Sequence, residues 1–147
     1  MIKIVLAFLI LFMLLSSNVA IGSNDFDAVE YVRNYDGDTI IVNIVDIPSL
    51  FGAKIPVRLA RSDSPEMKSK VACEKSAAIA SRDEVKRVLS ISKVINLKNT
   101  RRDKYFRIVA EVEFDGGNLS DYLISKRLAT AYDGRTKKIV DWCNLRP

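Results

Sequence analysis

The chain has 147 residues, 48% of them apolar, and a formal net charge of +5. This length is enough for one domain with a buried core. Histidine is absent, which excludes Ser-His and Cys-His nucleophile pairs, histidine-ligated zinc and histidine general bases. The two cysteines cannot by themselves complete a structural zinc site. Any chemistry must therefore use carboxylates, arginines, lysines and tyrosines, with a hard metal ion if a metal takes part.

The first 22 residues have the pattern of a secretory signal peptide. Lys3 gives a positive start, an unbroken run of twelve apolar residues covers 4–15, and the small residues Ala20 and Gly22 follow. Twelve apolar residues are short for a membrane span, which needs about 20. We predict cleavage after Gly22, with Ala20 as the other option and an uncleaved anchor as the competing interpretation. The mature protein, residues 23–147, is then secreted or periplasmic, without stable membrane association.

Periodicity next predicts five strands and one long helix. The predicted strands are 28–33, 39–45, 54–61, 93–99 and 106–114. The second is β-branched almost throughout and is the clearest of them. Pro56 places the start of the third at an edge or a bulge. From Cys73 the apolar residues recur at helical spacing over four to five turns, which predicts an amphipathic helix between the third and fourth strands.

The C-terminal part has weaker signals. Asn118 is a good N-cap for a short helix that ends near Arg127. Residues 129–132 are predicted to be extended, and 136–142 to form one or two helical turns. The whole order predicts an α+β fold, in which a five-stranded OB-fold barrel carries a helix between strands 3 and 4 and further helices at the C-terminus. Residues 23–147 would form this single domain.

The charge of the mature chain is compatible with a polyanionic partner. Loss of Lys3 lowers the formal charge from +5 to +4, and a basic surface attracts polyanions. Three basic residues of the fourth predicted strand and its turn are either a DNA-facing patch or a solvated turn: Lys98, Arg101 and Arg102.

Export would permit a disulfide between the two cysteines. Joining Cys73 to Cys143 closes a loop of about 70 residues, worth about 4 kcal/mol in the chain-entropy model. The alternative is two separate thiols, which a thiol assay on denatured, unreduced protein distinguishes.

Residues 57–66 place opposite charges where a predicted strand enters a Ser-Pro turn. They offer a cation at Arg58, a candidate metal ligand at Asp63 and a second carboxylate at Glu66. Oxygen ligands suit hard cations such as Ca²⁺, and the planar arginine fork matches phosphate oxygens. We therefore interpret this segment as half of a metal-assisted phosphodiesterase site, which the rest of the chain must complete.

Four segments together resemble the staphylococcal (micrococcal) nuclease family. They are residues 36–39, 58–66, 103–107 and 127–132. They match the family's D-G-D-T turn, its R-x-x-x-x-D-[TS]-P-E stretch, its D-K-Y-x-R stretch and a G-L-A-type segment that ends in tyrosine. Each motif alone is weak, but their order and spacing on an OB-like strand pattern are specific.

The resemblance implies a calcium site and a base. Asp38 and Asp63 match the two calcium carboxylates, and the Ser64 carbonyl matches a third ligand at a position that is more often threonine. Glu66 matches the glutamate that acts as general base on the attacking water or positions it.

The resemblance also implies contacts with the substrate. Arg58 and Arg107 match two arginines that grip the scissile phosphate. Three residues match positions near the bound nucleotide: Lys104, Tyr105 and Tyr132. The implied activity is that of a monomeric Ca²⁺-dependent endonuclease on DNA and RNA, with little sequence selectivity and 3′-phosphate products. The rival interpretation is a catalytically silent OB-fold module that binds nucleic acid.

Several positions keep two interpretations. Asp36 is either a turn cap or a ligand, with the cap favoured. Trp142 either packs in the core or beside the cysteine, which is favoured, or is a base-stacking platform. Arg61 and Ser62 are expected to be exposed at the barrel rim. Phe106 stands where the family's best-known member has glycine, beside the second arginine.

Overall fold

The computed structural model describes residues 24–145. The predicted signal peptide, residues 1–22, and its cleavage site lie outside the described residues. Between 24 and 145, no helix is both long and apolar enough to cross a membrane.

The described chain contains eight strands and three helices. The strands are β1 (Glu30–Asn34), β2 (Thr39–Asn43), β3 (Ile55–Leu59), β4 (Ser62–Asp63), β5 (Ile95–Arg102), β6 (Ile108–Phe114), β7 (Gly117–Asn118) and β8 (Thr130–Ala131). The helices are α1 (Ser49–Gly52), α2 (Ala72–Ile91) and α3 (Leu119–Ser125). The five longest strands correspond to the five predicted ones, and α2 lies between β3 and β5 as predicted. The short helix α1 follows Pro48, in the connection between β2 and β3.

The main sheet has the order β1-β2-β3-β6-β5, with β7 paired to β6. Its pairs are antiparallel except β3 and β6, which run parallel with Val57 opposite Ile108. The chain before β1 contacts β5 at the opposite edge of the sheet, where the Val29 N–H donates to the Ile95 carbonyl at 2.8 Å. The fold is therefore a mixed α+β, OB-like arrangement around a partly open sheet, which confirms the predicted class but not a complete five-stranded barrel.

The core follows from the alternating strands and the apolar face of α2. Ile40 and Val42 of β2 point inward and are fully buried, as β-branched residues on a pleated surface do. They pack in one cluster with Val85 of α2 and Leu123 of α3. Burying such a side chain contributes about 2 kcal/mol, so the cluster fixes the helices on the sheet.

Two predictions for the C-terminal region have opposite outcomes. The Asn118 side chain accepts hydrogen bonds from the N–H groups of Ser120 and Asp121 at 3.0 and 3.2 Å, which confirms the N-cap of α3. The predicted helical turns at 136–142 are wrong, since residues 133–141 have no helix. The side chain of Ile139 is fully exposed and that of Val140 is only partly buried, so a helix over 136–141 would bury little apolar surface.

The segment 133–142, here named the C-terminal strap, is fixed at both ends. At its start, the Tyr132 N–H donates to the Arg61 carbonyl at 2.9 Å. At its end, Cys143 forms a disulfide with Cys73 near the start of α2, which confirms the predicted pairing. The strap therefore crosses from the sheet to α2 as an extended connection.

Gly37 brings two turns and a helix into close contact. A Cβ at this position would lie 1.9 Å from Ser81 Oγ on α2 and 2.9 Å from Ser64 Cβ in the turn after β4. Only glycine leaves room for this approach. The approach matters because the first turn carries Asp38 and the second directly follows Asp63.

Gly37→Ala is expected to lower the free energy of unfolding by about 2 kcal/mol or more, because the methyl group must displace Ser81 and Ser64. Adding Ser81→Gly should recover part of this loss, since it removes the nearest atom. Urea unfolding measures both effects. Gly117→Ala is the matched control, because its Cβ would meet nothing closer than 3.6 Å. Equal unfolding midpoints for Gly37→Ala and the control would contradict the packing argument.

Candidate active site

Arg58 holds two carboxylates that are distant in sequence. Because Thr39 of β2 pairs with Arg58 of β3, the turn before β2 lies beside the arginine. Arg58 Nη1 is 2.8 Å from Asp38 Oδ2, and Nη2 is 3.0 Å from Asp63 Oδ1. All three side chains are buried. The guanidinium fork therefore fixes the spacing of the two carboxylates.

The backbone around Asp38 is fixed by further hydrogen bonds. The Ser64 N–H donates to Asp38 Oδ2 at 2.8 Å. Asp36 Oδ1 accepts from the N–H groups of Asp38 and Thr39 at 3.1 and 2.7 Å. Asp36 is therefore a turn cap, the interpretation that the sequence favoured.

The site has more buried negative charge than Arg58 balances. Burial raises the pKa of Asp38 to about 6, even though the Arg58 guanidinium lowers it. Carboxylates of Asp38 and Asp63, together with the Ser64 carbonyl, are a hard oxygen donor set of the kind that Ca²⁺ prefers. Among residues 24–145, no three carboxylate, cysteine or histidine side chains cluster as a metal site. The two carboxylates and the carbonyl are fewer ligands than the six to eight oxygens that Ca²⁺ takes, so a hard divalent cation held here would keep water ligands.

Glu66 lies at the mouth of the site and faces a lysine. Its side chain is 70% exposed, and Lys137 Nζ lies 3.0 Å from its Oε1. The same ammonium is 2.9 Å from Asp63 Oδ1. Burial lowers the pKa of Lys137, but its hydrogen bonds and ion pairs with Asp63 and Glu66 outweigh this and raise it. Sequence reasoning missed Lys137, because the strap matches no motif and nothing in its sequence distinguishes Lys137 from Lys138.

A cleft of about 350 Å³ unites the predicted site residues. Eight of the nine line it: Asp38, Arg58, Ser64, Glu66, Lys104, Tyr105, Arg107 and Tyr132. The ninth, Asp63, contacts the lining residues Arg58 and Lys137. A larger cavity of about 1140 Å³ lies between β1 and α2, and it contains none of these nine residues, so cavity size does not locate the site.

The turn between β5 and β6 supplies one wall of the cleft. Arg107 Nε donates to Asp103 Oδ2 at 2.9 Å. The exposed Tyr105 ring lies 5.0 Å from Lys104 Nζ and 5.5 Å from Arg107 Cζ, within cation–π distance. This turn thus presents an aromatic face between two cations.

A second cleft of about 410 Å³ continues from the first and is strongly basic. Five residues line both clefts: Arg58, Lys104, Tyr105, Arg107 and Tyr132. The second adds Arg61, Arg101 and Arg135, against the single acidic residue Asp103. The two clefts are continuous. The basic path, as named here, is the second cleft together with the cations that both clefts share, whereas the first cleft also carries the acidic Asp36, Asp38 and Glu66.

The expectation that Ser62 is exposed at the barrel rim is wrong. Ser62 is fully buried, and its Oγ lies 2.9 Å from Ser120 Oγ of α3. Arg61 is exposed, as expected, but forms ion pairs with Glu111 at 3.2 Å and with Asp121. These contacts bind the chain just before Asp63 to β6 and α3.

Three further interpretations can now be decided. Trp142 is buried, which confirms the packing interpretation and not the base-stacking platform. Lys98 pairs with Asp27 at 2.6 Å and takes no part in either cleft. Arg101 lines the basic cleft, whereas Arg102 Nη1 donates to the Phe106 carbonyl at 2.6 Å.

Phe106 has a backbone conformation that bulky residues avoid. Its φ is 62° and its side chain is 81% exposed. This backbone conformation costs about 1 kcal/mol or more in a residue other than glycine.

Phe106→Gly is therefore expected to raise the free energy of unfolding by about 1 kcal/mol. Phe106→Ala keeps the strain and is the control. A lower urea midpoint for Phe106→Gly than for wild type would contradict this account.

Asp38→Asn is expected to raise the free energy of unfolding by about 2 kcal/mol at pH 7.5 in metal-free buffer, because burial disfavours the charged form. A carboxyl whose pKa rises from 3.8 to about 6 on folding binds protons more tightly when folded. Its penalty is therefore complete above about pH 6 and absent below about pH 3.8. Urea unfolding should show a difference at pH 7.5 that disappears near pH 3.8. The exposed Asp46→Asn serves as control, and a difference that is independent of pH would contradict the charge argument.

Residues 56–141 match the family model described as staphylococcal nuclease homologue. The match covers more than half of the chain and includes Arg58, Asp63, Glu66 and Arg107, but it begins after Asp38. A search among curated proteins finds no match. Because this match covers more than half of the chain, the chain belongs to the staphylococcal nuclease homologue family.

Proposed function

We propose that this protein is a Ca²⁺-dependent endonuclease that hydrolyses phosphodiester bonds of DNA and RNA with little sequence selectivity and leaves 3′-phosphate ends. Membership of the family supports a nuclease-type hydrolase. The observation that carries the proposal is that Arg58, Arg107 and Glu66 line one cleft beside two buried carboxylates. A module that only binds nucleic acid gains nothing from an exposed glutamate at this point, since its charge repels phosphate.

The basic path supports a polynucleotide substrate. Lysine and arginine side chains along a groove bind phosphates regardless of sequence. Tyr105 and Tyr132 line both clefts, and aromatic rings stack on unpaired bases without selecting among them. Together they support a single-stranded or locally opened strand as substrate.

The roles of the chain's own residues follow from their positions. Glu66 accepts a proton from the water whose oxygen attacks phosphorus. Arg58 and Arg107 donate hydrogen bonds to the phosphate oxygens as negative charge builds up on them, which is the largest contribution in many enzymes. The bond between phosphorus and the 5′ oxygen breaks, and that oxygen takes a proton from solvent. The phosphate stays on the 3′ oxygen.

Asp38, Asp63 and the Ser64 carbonyl would hold the calcium ion, which when bound neutralises phosphate charge as a Lewis acid. Arg58 contributes by fixing the two carboxylates at the spacing described above. Arg58 compensates the negative charge of Asp38 and Asp63 only in part, which favours a cation at this position.

We also propose that the protein acts as a monomer outside the cytoplasm, in the periplasm or the medium. The signal-peptide pattern of residues 1–22 supports export. The disulfide between Cys73 and Cys143 supports it too, because such bonds persist in oxidising compartments.

Glu66→Gln is expected to lower kcat by about 10²–10⁴-fold, because general-base catalysis contributes about this much. The measurement is digestion of plasmid and single-stranded DNA by the purified mature protein, with Ca²⁺ and with a chelator. The exposed Glu30 lies outside both clefts, so Glu30→Gln is the matched control and should cut at the wild-type rate. Products should carry free 5′-hydroxyl ends that a polynucleotide kinase labels without prior dephosphorylation.

Two results would contradict this proposal at different levels. If the wild-type protein binds single-stranded DNA but cuts none with Ca²⁺ present, it is the silent binding module. If Glu66→Gln cuts as fast as wild type, the protein is a nuclease in which Glu66 is not the base.

A further inference from the structure

Lys137 is the residue through which the C-terminal strap contacts the active site. Its ammonium lies 2.9 Å from Asp63 Oδ1 and 3.0 Å from Glu66 Oε1. The neighbouring Lys138 and Ile139 are exposed. No ion pair joins Lys138 to another of the described residues. The strap therefore delivers one particular cation to two carboxylates more than 70 residues earlier in the chain.

Glu66 depends on this contact for its position. Within residues 24–145, Lys137 is the one hydrogen-bonding or ion-pair partner of the Glu66 side chain, which is otherwise 70% exposed. A glutamate in water samples several rotamers, and fixing it costs side-chain entropy. The lysine limits that freedom and keeps the carboxylate beside Asp63.

The same contact contributes little to folding. Lys137 is 51% exposed and Glu66 70%, and exposed ion pairs stabilise proteins only weakly because water screens them. The contact instead matters for local charge. Asp63 Oδ1 already accepts from Arg58 Nη2 at 3.0 Å, so Lys137 adds a second positive charge to a carboxylate that is a proposed calcium ligand.

We propose that Lys137 is a positioning residue, which holds Glu66 beside Asp63 for catalysis and at the same time weakens the binding of a divalent cation by placing a positive charge next to Asp63. This inference rests on the proposed function. It extends that function by assigning the C-terminal strap a role in the site, and the disulfide that closes the strap keeps Lys137 there.

The test compares three single variants of the mature protein: Lys137→Met, Lys137→Arg and Lys138→Met. Calcium affinity is measured by isothermal titration without nucleic acid, and kcat and KM on single-stranded DNA at saturating Ca²⁺. Lys137→Met should bind Ca²⁺ about tenfold more tightly, because a nearby positive charge is removed. Its kcat should fall at least about tenfold while KM changes less than about twofold, because Glu66 is no longer held.

The other two variants are controls. Lys137→Arg tests whether any cation at this position is sufficient, and Lys138→Met tests whether the position of the lost charge matters. Lys137→Arg keeps a cation that can bridge two carboxylates, so its calcium affinity and kcat should stay within about threefold of wild type. Lys138→Met removes an equal charge from the adjacent position and should match wild type in both measurements. The far-ultraviolet circular dichroism of all three should be unchanged.

The disulfide provides a second, independent test. In the Cys73→Ser/Cys143→Ser double variant the strap is no longer closed. Calcium affinity should rise and kcat fall as in Lys137→Met. Adding Lys137→Met to this background should change each value by less than about twofold, because the lysine has already left the site.

Several outcomes would overturn the inference while leaving the proposed function intact. One is wild-type calcium affinity and kcat in Lys137→Met. Another is a raised KM with unchanged kcat, which would mean that Lys137 contacts the substrate instead of Glu66. A third is an equal response in Lys138→Met, which would mean that only the net charge of the strap matters. A wild-type protein that neither binds Ca²⁺ nor cuts DNA would instead overturn the proposed function, and this inference with it.

Discussion

The ion pairs of Arg58 with Asp38 and Asp63 are the constraint on which the site depends. Removing a guanidinium and two carboxylates from water costs several kcal/mol for each ion, and the cost is tolerable here because the fork contacts both acids at 2.8 and 3.0 Å. Arg58 alone balances only one of the two negative charges, and the half-exposed Lys137 adds a second positive charge beside Asp63. Burial is the main cause of the raised pKa of Asp38, and Arg58 offsets it only in part. Two buried carboxylates at this position are attractive to a hard cation.

The rest of the fold serves to keep this cluster together. Gly37 lets the Asp38 turn approach Ser64 and α2. Ser62 and Arg61 attach the chain before Asp63 to α3 and β6. A misplacement of about 1 Å in a catalytic site can cost about 10²-fold in rate. For the proposed function, packing far from the proposed phosphate-binding arginines would therefore affect the rate.

The strap adds a feature that the main sheet alone lacks. Its lysine reaches the one carboxylate of the site that faces solvent, while the disulfide and the buried Trp142 hold its far end. A small protein that works outside the cytoplasm, as proposed for this one, can use a covalent bond in this way, because disulfides there stay oxidised. Positive charge at the site is thus supplied both by the sheet, through Arg58, and by a tethered loop.

The sequence by itself determined the residue types available for chemistry, the main strands, the long helix and the Asn118 cap, because these depend on local periodicity and on side-chain hydrogen bonds to nearby backbone. The order of the motifs also identified the family. Only the tertiary structure decided that Lys137 and not Lys138 meets Glu66, that Ser62 is buried, and that residues 133–141 form no helix. Each of these depends on contacts between segments far apart in the chain. Local pattern does not encode such contacts, since they are set by strand register, close packing at Gly37 and the closure of the disulfide.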